Sequence, residues 1–466
     1  MKLRSINIKK FYRFNDFKLD LTYPKGHVKE GQPLDKICFI GQSGTGKTSL
    51  LNLIKQSIKH SKNELERTVI KCEASFEYDF DQLKRVVRFK SETGSDIFEP
   101  NLVEYFREVG YTKKENGAAI PLIKEMFKEH YKNSAILIYY PAEIINDINN
   151  ILNNEEDDLG LKEELKVIIA NAKSTITETI LSEKYFDFTA KRIYDFWKWI
   201  LREINSYNTI QLQHTQELAS TFKQNIEDGK KKLLEYEKWL ATNPSPILPL
   251  AEKLNLLLNK FKLEVETEFN FKSIDDLKFI KLKSIDGETI PYSGWSTGTK
   301  QVILTAIPIF KLNTDKAIIL IDEPERSLYP DLQYEIINYY RQLSPNSQLI
   351  VATHSPIIAS AFEPWEIVEL KFNKEGNIYR ELYYENENHV DNYTLDPRFL
   401  SWSSILMKIF DLGEDGNENF RSLALTQAAG LKAKLEEMNK TNGSKDENFK
   451  KIFADYQKLA QKVGWV

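Results

Sequence analysis

A chain of 466 residues is long for one hydrophobic core, so two or three domains are expected. Its 41% hydrophobic and 28% charged residues support a globular interior under a soluble surface. A net charge of −4 excludes a global electrostatic pull toward nucleic acid, leaving only local basic patches to consider.

Residues 1 to about 21 read as a hairpin, because Ile6 and Ile8, then Phe17, Leu19 and Leu21, alternate with polar residues. The opening MKLRSINIKKF is thus a strand pattern rather than a leader. No apolar run is long enough to span a bilayer, so a cytoplasmic protein without a membrane partner is expected. The two cysteines, Cys38 and Cys72, suggest neither a metal pattern nor a disulfide framework.

The apolar run 37–40 leads into Gly41-Gln42-Ser43-Gly44-Thr45-Gly46-Lys47-Thr48, a full match to G-x-x-x-x-G-K-[ST]. A helical pattern leads out from Ser49, and strand–loop–helix is the context that this phosphate-loop motif requires. The glycines let the backbone wrap so that its N–H groups face phosphate oxygens. The helix start adds its positive dipole end. Residues Gly41 through Ser49 are therefore the candidate ATP-binding set. Lys47 is expected to reach the β/γ-phosphates, and Thr48 to offer its hydroxyl to Mg²⁺.

Residues 69–90 alternate through Cys72, Ala74, Phe76, Tyr78, Val87 and Phe89 and predict a second hairpin. Residues 135–140, AILIYY, predict a buried strand before Pro141. Over residues 144–262 strand signals give way to helical spacing. Phe186, Phe188, Tyr194, Phe196, Trp197, Trp199 and Ile200 make too broad an aromatic face for a coiled-coil seam and predict a helical subdomain. Leu218, Phe222, Ile226, Gly229, Leu233, Tyr236 and Leu240 then step by four and three as a heptad-like seam, until Asn243-Pro244-Ser245-Pro246 stops it. The segment is read as an insertion between two halves of a nucleotide-binding domain. The plainer alternative makes these the domain's own core helices.

Strand patches return over residues 263–282. Ser296, Gly298 and Lys300 form a Ser-x-Gly-x-Lys helix start, which suits an anion or simply caps a helix. One phosphate cradle per ATP is already present, so these three are read as serving ATP held by another protomer. Residues 316–323, KAIILIDE, end an apolar strand on two carboxylates. Asp322 is expected to hold Mg²⁺ with Thr48, and Glu323 to polarise the attacking water. After a further strand, 348–352, His354 is expected to face the γ-phosphate. From about Arg398 the chain reads as a helical tail.

This motif order resembles the ABC-type ATPase heads of the SMC and RecF group, and most nearly the OLD-like ATPases of bacterial antiphage defence. Residues 321–330, IDEPERSLYP, are similar to that group's I-D-E-P-E-x-x-L-H-P, with Tyr329 in place of histidine. Residues 353–356 keep its T-H-S-P, and W-S-T-G-T-K-Q is similar to its L-S-S-G-T-K-Q, with Trp295 in place of leucine. Tyr139-Tyr140-Pro141-Ala142-Glu143 looks like its middle strand. The resemblance implies an α/β, ABC-type P-loop ATPase head with a central mixed sheet, an antiparallel β subdomain and a helical, partly coiled-coil insertion. On that pattern residues 1–143 and 263–395 are the two halves of the head, 144–262 the insertion and 396–466 a helical tail. Two heads would sandwich two ATP molecules, giving a homodimer or higher homo-oligomer.

Many OLD proteins carry a Toprim nuclease. Here no Asp-x-Asp follows Glu366 and Glu369, and Glu414-Asp415 does not fit. The chain is therefore similar to the ATPase component of two-gene systems such as Septu or PARIS. There the effector, a nuclease or toxin, is a separate protein held by the ATPase; a phage protein, a DNA end or a nucleotide could each serve as the trigger. The competing expectation is a RecF-like repair ATPase, with basic runs at Lys230-Lys231-Lys232 and at Lys9-Lys10 near Arg13. A transport ATPase would carry a signature more like L-S-G-G-Q and lack so large a helical insertion.

Overall fold

The computed structural model describes residues 1–59, 72–80, 83–91, 101–105, 134–142, 183–267, 280–410, 420–440, 447–463 and 465. Glu143 and the pair Glu414-Asp415 lie outside the described residues, as do 144–182 of the expected insertion. The chain divides into two units, Met1–Phe399 and Leu400–Val466.

The first unit is built on strands β1 (Lys2–Phe11), β2 (Phe14–Asp20), β3 (Lys36–Gly41), β4 (Cys72–Phe80), β5 (Leu83–Ser91), β6 (Asn101–Tyr105), β7 (Leu137–Tyr140) and β8 (Tyr185–Asp187). Three short strands, β9 (Leu263–Val265), β10 (Leu282–Ser284) and β11 (Thr289–Ile290), form a separate antiparallel sheet. Then follow β12 (Ile318–Asp322), β13 (Gln348–Ala352), β14 (Ile367–Phe372) and β15 (Ile378–Glu381). Among the described residues the large sheet has the order β6-β5-β4-β1-β2-β15-β14-β3-β13-β12-β7-β8.

One half of that sheet, from β14 to β8, is parallel. Its central strands β12 and β13 are short, mainly apolar runs buried at every position, as befits strands covered on both faces. The other half, from β6 to β2, is antiparallel. There β1 buries Leu3, Ile6 and Ile8 in one core with Phe76 and Tyr78 of β4. The two expected hairpins are β1–β2 and β4–β5. The halves meet at β15, antiparallel to β14 and bridged to β2 through Ile378 and Phe14.

The helices of this unit are α1 (Lys47–Lys59), α2 (Ala190–Gln224), α3 (Ile226–Thr242), α4 (Ile247–Leu258), α5 (Thr297–Lys311), α6 (Pro330–Leu343) and the single turn α7 (Pro356–Ala359). Helix α1 buries Leu50, Leu51, Leu53, Ile54 and Ile58 in the sheet core. The second unit, described alone, contains α8 (Trp402–Lys408), α9 (Phe420–Lys440) and α10 (Glu447–Val463).

Two features differ from the sequence expectation for residues 144–262. First, the aromatic cluster is not purely helical. Tyr185–Asp187 is a strand, pairing Phe186 with Ile138 of β7. Phe188 stacks on Tyr140 with ring centroids 4.8 Å apart, and Lys311 of α5 pairs with Glu203 at 2.5 Å. Residues 185–203 are thus packed into the ATPase core, and a strand of three residues was too short to show a period of two.

Second, the heptad-like seam is not one helix. Asn225 breaks it, its side chain accepting the Glu227 N–H at 2.9 Å as an N-cap. Helices α2 and α3 fold back as an antiparallel hairpin: Tyr207 lies on Trp239 (5.2 Å), and Lys232 pairs with Glu217 (3.1 Å). Steps of four and three continue across that corner, so spacing alone could not reveal it.

Candidate nucleotide site

The phosphate loop leaves β3 through Gly41, whose φ of 140° and closeness to β14 exclude a side chain. A Cβ there would stand 2.3 Å from the Leu370 carbonyl oxygen. The loop is closed by the Thr45 hydroxyl, which donates to the Gln42 carbonyl at 2.8 Å. Gln42, Ser43 and Gly44 remain exposed at its tip, while Ser49 lies in the first turn of α1. Behind the loop, a Cβ on Gly46 would meet the Phe14 ring at 2.8 Å.

Lys47 is 6% exposed, and its ammonium donates to the Gly41 and Gln42 carbonyls at 2.8 and 3.2 Å. Burial lowers its pKa to about 8, against the attraction of Asp322, Glu323 and Glu325. Among the described residues no carboxylate pairs with it directly. A desolvated cation held only by its own loop's carbonyls suits an arriving phosphate.

Sheet order assembles the rest. The His354 strand comes one strand later than Asp322 in sequence, yet β13 lies between β3 and β12 in space. The loops after all three parallel strands therefore open on one edge, where α/β sheets bind ligands. Asp322, 5% exposed, accepts the Thr48 hydroxyl at 2.8 Å. Burial pushes its carboxyl above the usual range, and the Thr48 bond opposes that. A buried carboxylate beside a hydroxyl, under an open phosphate loop, is a fitting oxygen pair for Mg²⁺, which takes few protein ligands alongside phosphates and water.

Glu323 leaves β12 with a φ of 51°, in the left-handed region that ordinary residues avoid. Its N–H donates to the Ala352 carbonyl of β13 at 2.8 Å. His354 is exposed over much of its surface. Partial burial and the nearby Lys47 push its pKa below the ordinary histidine value, and Glu323 opposes them. Lys47, Asp322, Glu323 and His354 therefore share one electrostatic field.

The Ser-x-Gly-x-Lys residues are placed differently. The Ser296 hydroxyl caps α5 by accepting the Thr299 N–H at 3.0 Å. Lys300 sits 4.4 Å from the Tyr292 ring centroid, its pKa lowered by burial. A Cβ on Gly298 would lie 2.9 Å from the Ser327 carbonyl oxygen, and Gln301 donates to the Pro324 carbonyl at 3.0 Å. The helix is thus bound to the turn after Asp322-Glu323. Among the described residues no hydrogen bond or ion pair joins Ser296, Gly298 or Lys300 to residues 41–49.

Sequence reasoning gave no role to Glu325 or Gln333. Glu325 accepts the His354 N–H at 2.8 Å, and Gln333 accepts the Ser355 hydroxyl at 2.6 Å. The second glutamate of I-D-E-P-E was the available signal for the first; nothing local marked the second.

The fold and the site define an α/β P-loop ATPase. The chain matches the AAA ATPase domain family over residues 1–359 and belongs to that family. Among solved structures it is similar to the SMC head domain from Thermotoga maritima, with a TM-score of 0.40, 11% identity, and coverage of 82% of this chain and 99% of that one. It is also similar to the Pyrococcus furiosus Smc head domain with an extended coiled coil, bound to the C-terminal domain of ScpA (TM-score 0.37, 13% identity, 82% and 96% coverage). Among the described residues no helix is long and apolar enough to cross a membrane.

Proposed function

We propose that this chain binds and hydrolyses ATP, pairs with a second copy through sandwiched ATP, and serves as the sensor or scaffold subunit of a bacterial antiphage defence system that controls a separate nuclease or toxin. The observation that carries the catalytic part is the meeting of Lys47, Thr48, Asp322, Glu323 and His354 at the ends of three adjacent parallel strands. The defence role is supported by the I-D-E-P-E and T-H-S-P sequences.

ATP is the substrate; a bound Mg²⁺ would supply charge neutralisation at its phosphates. The loop N–H groups of residues 41–48 and the Lys47 ammonium hold the phosphates. Thr48 and Asp322 would hold that cation. Glu323 orients the attacking water and accepts its proton, and His354 donates a hydrogen bond toward the terminal phosphate.

Lys47→Ala should weaken ATP binding by ~100-fold or more, because it removes charge-assisted hydrogen bonds of up to about 3 kcal/mol. Glu323→Gln should retain binding while turnover falls by roughly 100-fold or more. Calorimetric titration and phosphate release check the pair; full turnover in Glu323→Gln would refute its assignment. The defence role is tested by isolating the complex from its source cells. A stoichiometric nuclease or toxin supports it, whereas an ATP-dependent dimer carrying only DNA favours a repair ATPase.

A further inference from the structure

The turn after β12 reaches the loop of His354 directly. Glu325 Oε1 accepts the His354 backbone N–H at 2.8 Å. The two residues are 29 positions apart but follow adjacent strands. Glu325 is partly buried, and among the described residues its Oε2 has no hydrogen-bond partner. Its fixed contacts are therefore with the histidine loop, through one oxygen.

A second tie lies on the other side of His354. The Ser355 hydroxyl donates to Gln333 at 2.6 Å, and Gln333 donates to the Leu328 carbonyl at 2.9 Å. The loop is thus pinned to residues 325–333 both at His354 itself and one residue beyond it. A backbone held at two adjacent points gives its side chain a defined origin, and misplacement of a catalytic group by about 1 Å can cost ~100-fold in rate.

We infer that Glu325 is a positioning residue for ATP hydrolysis, fixing through the His354 N–H the backbone from which the imidazole projects. This rests on the reading of His354 as the group facing the terminal phosphate. The function needs an acceptor oxygen at a set reach, and it does not need charge. Glu325→Gln keeps Oε1 in place. Glu325→Asp keeps the charge but shortens the arm by one carbon–carbon bond, about 1.5 Å, moving the oxygen outside hydrogen-bonding distance.

The test uses the full chain with Glu325→Ala, Glu325→Asp and Glu325→Gln. Binding is read with a fluorescent ATP analogue and turnover by phosphate release. The hydrogen bond itself is read from the His354 amide resonance in nucleotide-free, ¹⁵N-histidine-labelled protein, assigned with His354→Gln. Ala and Asp should lower kcat by roughly 10- to 100-fold, leave nucleotide affinity unchanged and move the His354 amide upfield. Gln should restore both kcat and the resonance.

Wild-type kcat in Glu325→Ala with a displaced amide overturns the inference. So does the reverse ranking, with Asp active and Gln inactive, which would make charge the requirement. Should Ala fail to fold, the Asp–Gln contrast still decides. If His354→Gln hydrolyses ATP like the wild type, the reading of His354 fails and takes this inference with it; that result is separable because it does not depend on Glu325.

Discussion

Glu366 shows how burial sets the chemistry of a single side chain. It is 1% exposed, pairs with Lys36 at 3.2 Å and accepts the Glu363 N–H at 2.8 Å. Burial still pushes its pKa up, from 4.5 to about 7, with Lys36 and the Glu363 N–H opposing. Between those values the native state holds a proton that the unfolded chain has lost, so stability falls as pH rises through that window. Glu366→Gln cannot titrate. Whatever constant offset it has from losing the Lys36 pair, it should gain on the wild type by about 1–3 kcal/mol between pH 5 and pH 8. Urea unfolding at the two pH values checks this, and parallel behaviour of the two proteins would refute it. Gly41 makes the opposite kind of demand, steric rather than electrostatic. Gly41→Ala forces a Cβ onto the Leu370 oxygen at a φ that alanine resists. It should lose at least about 2 kcal/mol of stability together with ATP binding, read by thermal melting and calorimetry.

At the scale of elements, α5 and the turn after β12 act as one piece. Gly298 lies against the Ser327 carbonyl, a backbone atom of a residue itself at a φ of 63°, so neither side can yield easily. Gly298→Ala should cost about 1–3 kcal/mol by overpacking. Gly229 is a contrasting case. Its nearest neighbour is the side chain of Phe222, 37% exposed, which can rotate aside. The helix-propensity gain of Gly229→Ala should hold the change within about 1 kcal/mol. Chemical denaturation of both variants separates the cases; equal losses would mean that the α5 contact is not rigid.

The same elements explain what could be read in advance. Strands β3, β12 and β13 were legible because each is a continuous apolar run that stops at a motif. The interposition of β13 between the other two was not, since sheet order is set by packing and leaves no mark on chain order. Strand β8 and the Asn225 corner were missed because a three-residue strand is shorter than its own signal and a heptad rhythm can run across a turn. Glu325 was visible as a letter, but its partner, an N–H 29 residues away, belongs to the tertiary structure.

At the scale of the whole molecule, the Ser296 helix start poses the sharpest question. Its hydroxyl is used on its own helix, and among the described residues Ser296 makes no bond to the phosphate loop of the same chain. Through Gln301 and Gly298 the helix is fixed to the turn that carries Glu323 and Glu325. On the proposed pairing, this helix start, held to the catalytic turn and making no bond to the phosphate loop of its own chain among the described residues, would meet the phosphates of a second copy. Ser296→Arg would remove the cap, at about 1 kcal/mol, and place a bulky side chain where that copy must approach. ATP binding to the monomer should survive. In the Glu323→Gln background, which should trap the ATP-bound pair, adding Ser296→Arg should return the molecule to a monomer at every ATP concentration. Mass photometry with and without ATP reads this directly. A double variant that still pairs on adding ATP would assign Ser296 to capping alone and leave the pairing surface to be sought on another face of the ATPase unit.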